Sequence, residues 1–203
     1  MYTRPESFPP IVKNLIIINV LVFVAGMFLE GQINLKLLFA MYPIGEGFEP
    51  YQLATHMFTH GDMMHILFNM FGLWMFGKML ENVWGPKRFL LFYFICGVGA
   101  AVAHLAVQYF MGTGAPAVGA SGAVMGILVA FAYLFPNTEL FIMLIPIPVK
   151  AKWAVLGMVL YDLLGGVGQV TGDNIAHFAH LGGAATGFIL VLIWNKSNRR
   201  GFY

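Results

Sequence analysis

Two residues of this sequence have the side chains needed for nucleophilic catalysis, and both lie inside apolar segments. Ser121 stands in the segment Gly119-Ala120-Ser121-Gly122-Ala123, and His180 lies in a later apolar segment. A serine hydroxyl is a weak nucleophile until a base removes its proton, and histidine is the usual base near neutral pH. The pair therefore predicts attack on a carbonyl group. Each residue alone has a plainer interpretation, because small residues around a serine are typical of helix packing and a histidine can bridge two helices.

A second pair of polar residues lies earlier in the chain. His65 and Asn69 are four residues apart, so they share one face of a helix. Both side chains can donate hydrogen bonds, and both could point at a carbonyl oxygen that gains negative charge during attack. A polar pair that satisfies itself between helices is the alternative interpretation.

The histidine spacing also raises the question of a metal site. His56 and His60 are four residues apart and His177 and His180 are three apart, which places each pair on one helix face. No glutamate accompanies either pair as in a His-Glu-x-x-His helix, and Cys96 is the single cysteine. The sequence therefore predicts no metal site and no cofactor.

The composition indicates the environment in which these residues work. Of the 203 residues, 59% are hydrophobic and 10% are charged, whereas soluble domains have about 45–50% and about 25%. The mean hydropathy is +0.77, and a net charge of +2 gives no field for binding nucleic acid. Because lipid offers no partner to an unpaired backbone amide, the chain is predicted to be an all-α polytopic membrane protein whose partner is the lipid bilayer. Six apolar runs have helical length: 11–29, 63–80, 89–110, 118–135, 153–168 and 175–194.

These runs predict that Ser121 and His180 lie at the same depth. Both residues are close to the start of runs that go inward, roughly 5–8 Å below the helix ends at about 1.5 Å per residue. Gly183 and Gly187 form a Gly-x-x-x-Gly face, which permits close helix packing. Close packing of the fourth and sixth runs would bring the serine hydroxyl and the imidazole within hydrogen-bonding distance.

The basic residues set the predicted orientation. With the N-terminus inside and six spans, every Lys and Arg except Lys36 falls at a cytoplasmic end. The predicted organisation is a cytoplasmic N-terminus over 1–10, one six-span domain over 11–195 and a cytoplasmic tail over 196–203. An outer loop at 31–62 is too apolar to be fully solvated, and residues 139–149 are expected along the inner interface.

With these motifs in this order, the chain resembles the rhomboid family of intramembrane serine proteases. The resemblance covers about residues 50–190, and it extends to the histidine-rich approach at 55–65 and to Leu80-Glu81 with Gly85 and Arg88. The family's motifs are similar to Gly119-Ala120-Ser121-Gly122, to His65 with Asn69, and to Ala179-His180 with Gly183 and Gly187.

The resemblance implies a bacterial-type, six-span endopeptidase that uses a Ser–His dyad without an acid. Ser121 would be the nucleophile and His180 the base, and His65, Asn69 and the Ser121 amide would form the oxyanion hole. Substrates would be single-span membrane proteins. By analogy, the compact six-span plan of the chain suggests a bacterial plasma membrane as the location, with both termini cytoplasmic and the active site toward the outer face.

Two residues lie outside this pattern. Relatives often carry a tyrosine four residues after the serine, and Met125 stands there in this chain. Asp162 lies inside the fifth run, where a polar anchor and a third catalytic member both remain open. Two other functions also remain open. One is a catalytically inactive relative that binds membrane proteins, and the other is a small transporter with histidine proton relays.

Overall fold

The computed structural model describes residues 5–29, 32–112, 114–141, 147–168 and 174–199. The described range leaves out residues 1–4 and 200–203 of the predicted termini, residue 31 of the predicted outer loop and residues 142–146 of the predicted interfacial stretch. The elements in chain order are α1 (Pro10–Leu29), α2 (Leu35–Phe39), α3 (Gln52–Thr55), a 3₁₀ turn (His56–Phe58), α4 (Met63–Gly72), a π-helical segment (Leu73–Gly77), α5 (Lys78–Trp84), α6 (Pro86–Met111), α7 (Ser121–Leu134), β1 (Glu139–Phe141), β2 (Pro148–Lys150), α8 (Ala151–Gly168) and α9 (Asn174–Arg199).

The predicted apolar runs correspond to helices whose ends shift by a few residues. The run at 63–80 is a continuous rod made of α4, the π-helical segment and α5, and α9 continues past the predicted boundary at 195. Among the described residues, three helices are long and apolar enough to cross a membrane: Pro10–Leu29, Pro86–Met111 and His177–Asn195. The all-α polytopic fold is therefore confirmed, while six crossings remain a prediction.

The short helix α7 lies at the centre of the fold, with most of its residues buried. Its 14 residues span about 21 Å, less than the hydrocarbon core of about 30 Å. The helix begins at Ser121 rather than at Val118 because Gly119 has a φ of 112°, outside the helical region. It ends at Leu134, two residues before Pro136.

Glycines form the contact between α7 and α9. A methyl group at Gly183 would collide with the carbonyl oxygen of Gly122 and lie 2.7 Å from its carbonyl carbon. A methyl group at Gly187 would lie 2.7 Å from both Cα and the carbonyl oxygen of Gly126. Since lipid provides no hydrophobic force between helices, close backbone packing of this kind stabilises their association.

A buried carboxylate joins α1 to α5. Glu81 is 2% exposed, and its two oxygens accept hydrogen bonds from the amides of Ile11 at 2.9 Å and Val12 at 2.8 Å. These amides belong to the first turn of α1, where no intrahelical acceptor is present. The carboxylate also complements the positive end of the helix dipole, so the buried charge is compensated.

Two segments of the chain do not form long helices. β1 and β2 form an antiparallel hairpin in which Glu139 pairs with Lys150, where the sequence predicted only an interfacial stretch. The outer loop folds back onto the helices, since Met41 is fully buried and pairs with Ala117 in an isolated β-bridge. This bridge fixes the chain just before α7.

Candidate active site

Ser121 is the first residue of α7, in a turn that other elements hold in place. Gly119 adopts a φ of 112°, which favours glycine, and its amide donates to the carbonyl of His56 at 2.8 Å. The first amides of a helix have no intrahelical acceptor. The start of α7 therefore offers donors beside the Ser121 hydroxyl, where an oxyanion would be stabilised.

The imidazole of His65 lies directly against this turn. A methyl group at Gly119 would be 2.5 Å from Nε2 and 2.7 Å from Cε1 of His65. On the other edge of the ring, Nδ1 accepts a hydrogen bond from the amide of Gly61 at 3.3 Å. A neutral imidazole that accepts at Nδ1 carries its proton on Nε2. His65 therefore presents a donor toward the start of α7.

Asn69 lies one turn further along α4 and is buried. Its Nδ2 donates to the carbonyl of His65 at 2.9 Å, and the same amide carries a second N–H. Asp62 caps the start of this helix, because its carboxylate accepts a hydrogen bond from the amide of His65 at 2.9 Å. That hydrogen bond lowers the pKa of the Asp62 carboxyl below its usual value, so the cap stays charged at neutral pH.

An acid from the neighbouring helix contacts His180. The Nδ1 atom of His180 lies 3.1 Å from Oδ1 of Asp162 on α8, and Nδ1 of His177 lies 2.7 Å from the same oxygen. Asp162 is 4% exposed. An ionised carboxylate only accepts hydrogen bonds, so Nδ1 of His180 is the donor and Nε2 is the accepting nitrogen. This tautomer is the one that a general base requires.

The packing of α7 against α9 brings the start of α7 close to His180. Gly122 follows Ser121, and a methyl group on it would lie 3.5 Å from the carbonyl oxygen of Ala179. The start of α7 therefore lies between the imidazole of His65, beside Gly119, and the turn of α9 that contains His180. In the part of the chain that the structure describes, no hydrogen bond joins the Ser121 hydroxyl to His180. The packing contacts bring the predicted residues together at one site. The Ser121–His180 dyad itself remains a prediction.

Two further histidines support the turn before α7. Nδ1 of His56 contacts the carbonyl oxygen of Gln52 at 2.8 Å, and the ring of His60 meets that of His65 edge-on, with centroids 5.1 Å apart. Burial lowers the pKa of His56 to about 4 and that of His60 to about 3. Both are consequently neutral at pH 7, and they pack beneath the site.

The contact between Asp162 and His180 is the feature that sequence reasoning left open. The two residues lie on different helices, and spacing along a single chain carries no signal for such a contact. The available signal was an acid inside an apolar run, which is rare enough to suggest a role. Met125, which stands where relatives carry tyrosine, is buried within α7.

The comparisons with known proteins agree with these motifs. The Rhomboid domain model matches residues 47–197. Rhomboid protein 1, mitochondrial, of Saccharomyces cerevisiae is 30% identical over 140 residues, covering 65% of this chain and 38% of the relative. RHOMBOID-like protein 12, mitochondrial, of Arabidopsis thaliana is 32% identical over 166 residues, covering 74% and 47%. Presenilin-associated rhomboid-like protein A, mitochondrial, of Danio rerio is 33% identical over 146 residues, covering 68% and 37%. The chain thus spans less than half the length of these relatives.

The names of these relatives correct one prediction. They are mitochondrial proteins, so the predicted bacterial plasma membrane is wrong. The predicted cytoplasmic placement of the termini is corrected with it. That location was an analogy drawn from the compact plan of the chain, and no residue supported it.

The family assignment has two independent supports. The matched region of residues 47–197 contains every motif on which the resemblance was based, from His65 to Gly187. The structure places those motifs on three helices that meet around Ser121. The chain belongs to the rhomboid family.

Proposed function

We propose that this chain is an intramembrane serine endopeptidase, with Ser121 as the nucleophile and His180 as the general base. The observation that carries the proposal is the contact of 3.1 Å between Nδ1 of His180 and the buried Asp162. It leaves Nε2 as the accepting nitrogen, on a helix that packs by its glycines against the helix of Ser121.

The first half of the reaction forms an acyl-enzyme. Nε2 of His180 accepts the proton of the Ser121 hydroxyl while Oγ attacks the carbonyl carbon of the scissile peptide bond. The resulting imidazolium then donates that proton to the leaving nitrogen as the C–N bond breaks. In the second half, water takes the place of the serine hydroxyl. His180 removes a proton from the water molecule, and the resulting hydroxide attacks the carbonyl carbon of the ester. Ser121 is then released with its proton.

The oxyanion that forms in each half needs donors already in position. The amide of Ser121 stands at the start of α7, Nε2 of His65 carries a proton toward that turn, and the amide of Asn69 has a second N–H. Removal of one such donor typically lowers kcat by about 10²–10³-fold. These three groups are the proposed oxyanion hole.

Asp162 acts in this proposal as a positioning residue. Its carboxylate accepts the Nδ1 proton of His180, which fixes the tautomer and the orientation of the ring, and it stabilises the imidazolium that forms. This arrangement departs from the acid-free dyad that the family resemblance implied. The carboxylate does not take the proton itself.

The proposed substrates are single-span membrane proteins, cut in or near the transmembrane segment. A peptide bond within a helix is protected, so the substrate needs a locally unstable segment of small residues to present its backbone to Ser121. The mitochondrial names of the relatives support a mitochondrial membrane as the location. No nucleic-acid partner and no cofactor enter the mechanism.

A cleavage assay tests the proposal. The full chain in detergent is incubated with a fluorescently labelled single-span peptide that has a small-residue segment, and its serine is probed in parallel with a fluorophosphonate. The parent should cleave and become labelled, whereas Ser121→Ala and His180→Ala should do neither. Cleavage by Ser121→Ala at the parental rate would refute the proposal. Binding of the peptide without cleavage or labelling would indicate an inactive relative instead.

A further inference from the structure

The proposed mechanism explains one of the two histidines at Asp162. His180 needs the carboxylate, but His177 makes the shorter contact with the same oxygen, 2.7 Å against 3.1 Å. A general base requires one imidazole only. The second imidazole therefore calls for another explanation, and the geometry of all three groups provides one.

The three side chains present a ligand set for a transition metal. Asp162, His177 and His180 each offer one ligand atom, and these three atoms all lie within 4.8 Å of one another. Tetrahedral zinc ligands at about 2.0–2.1 Å from the metal are about 3.3 Å apart. The two nitrogen–oxygen separations of 2.7 Å and 3.1 Å are slightly shorter, so a small outward shift of the side chains would admit the ion. Two imidazoles and one carboxylate are donors that zinc prefers, and the fourth position would be left to water.

The two histidine side chains of this group are partly exposed. The side chains of His177 and His180 are 13% and 28% exposed, whereas that of Asp162 is 5% exposed. The two imidazoles are thus more exposed than the carboxylate that they share. A metal ion could therefore approach the ligand atoms along the exposed edges of the two imidazoles.

We infer that Asp162, His177 and His180 form an inhibitory site for zinc or a similar divalent transition metal. The inference rests on the proposed function for its effect on activity, and it departs from the sequence-based expectation of no metal site. A metal bound at Nδ1 of a neutral His180 forces the single ring proton onto Nε2. Nε2 then donates instead of accepting, so it cannot remove the proton of Ser121.

A metal titration with a matched variant tests the inhibition. Buffered Zn²⁺ should inhibit the parent reversibly, and a chelator should restore the rate, while Mg²⁺ and Ca²⁺ should have no effect because they prefer oxygen ligands. His177→Asn keeps a donor for Asp162 and leaves Ser121 and His180 in place, so its metal-free rate should be unchanged. Its half-inhibitory zinc concentration should rise by at least about 10–100-fold. Equal zinc inhibition of His177→Asn and the parent would overturn the inference.

A binding measurement separates this inference from the proposed function. Ser121→Ala is loaded with Co²⁺, whose visible absorption reports tetrahedral nitrogen and oxygen ligation, and Zn²⁺ is added as a competitor. We expect bands that Zn²⁺ removes and that are absent when His177→Asn is added to the same background. Absence of these bands would overturn the metal site even if the chain is a protease. Their presence in a chain without Ser121-dependent cleavage would overturn the proposed function only. Metal binding without inhibition of the active parent would overturn the inhibitory role.

Discussion

Replacement of Gly183 by alanine is the most direct test of how the helices position the site. The added methyl group would meet the carbonyl oxygen of Gly122 and lie 2.7 Å from its carbonyl carbon. Carbon atoms in ordinary contact are about 3.5–4.0 Å apart, so α9 must withdraw from α7 by about 1 Å. A misplacement of about 1 Å between reacting groups can lower the rate by about 10²-fold. We therefore expect kcat to fall by about two orders of magnitude.

Two other glycines provide the controls. Gly157→Ala on α8 adds a methyl group with no heavy atom within 4 Å, so kcat and thermal stability should remain parental. Gly187→Ala strains the same helix contact one turn further from the site. It should also lower the unfolding temperature, since overpacking costs about 1–3 kcal/mol, but it should lower kcat less.

The assay combines peptide cleavage, fluorophosphonate labelling and thermal unfolding in detergent. Gly183→Ala should remain folded yet react slowly with the fluorophosphonate, because the withdrawal of α9 carries His180 away from the Ser121 hydroxyl. A kcat within a few-fold of the parent would refute the reasoning. Equal losses of kcat in Gly183→Ala and Gly187→Ala would refute it as well, because activity would then follow overall stability.

Further predictions concern single side chains and pH. Asn69→Ala should lower kcat by about 10²–10³-fold with little change in KM, and an unchanged kcat in peptide cleavage would return Asn69 to a packing role. Gly119→Ala should abolish fluorophosphonate labelling, because its methyl group meets an imidazole and its φ of 112° disfavours alanine; normal labelling would contradict this. Asp162→Asn should lower kcat by up to about 10⁴-fold at similar KM, whereas a parental kcat would exclude positioning by the carboxylate. Thermal stability should fall as the pH drops from about 6.5 toward 4, because His56 and His60 bind protons readily only in the unfolded chain. A constant unfolding temperature across that range would exclude this linkage.

Much of the fold could be predicted because hydropathy is a local property. Each apolar run was long enough to show its helix, and breakers such as Gly85-Pro86 marked the boundary between α5 and α6. The start of α7 was predicted three residues early, since the left-handed backbone at Gly119 depends on contacts with His56 and His65. The hairpin of β1 and β2 was missed because apolar residues flanked by prolines give no clear period.

The features of the site, like those of the fold, could be predicted from the sequence only where they depend on residues close together in the chain. His65 and Asn69 share a helix, so their spacing alone predicted a common face. The shared acceptor of His177 and His180 could not be predicted, because Asp162 reaches them from another helix. The proton position on His65 likewise depends on the amide of Gly61, which has no signature in sequence spacing.

Because Asp162 and His180 lie on separate helices, the chemistry depends on the completion of folding. A chain in which α8 has not yet docked onto α9 has a histidine without its acceptor, and therefore a base with no fixed proton. On the proposed mechanism, a newly inserted chain cannot hydrolyse neighbouring membrane proteins until these two helices associate. The carboxylate thus makes the proposed activity depend on the packing of α8 against α9.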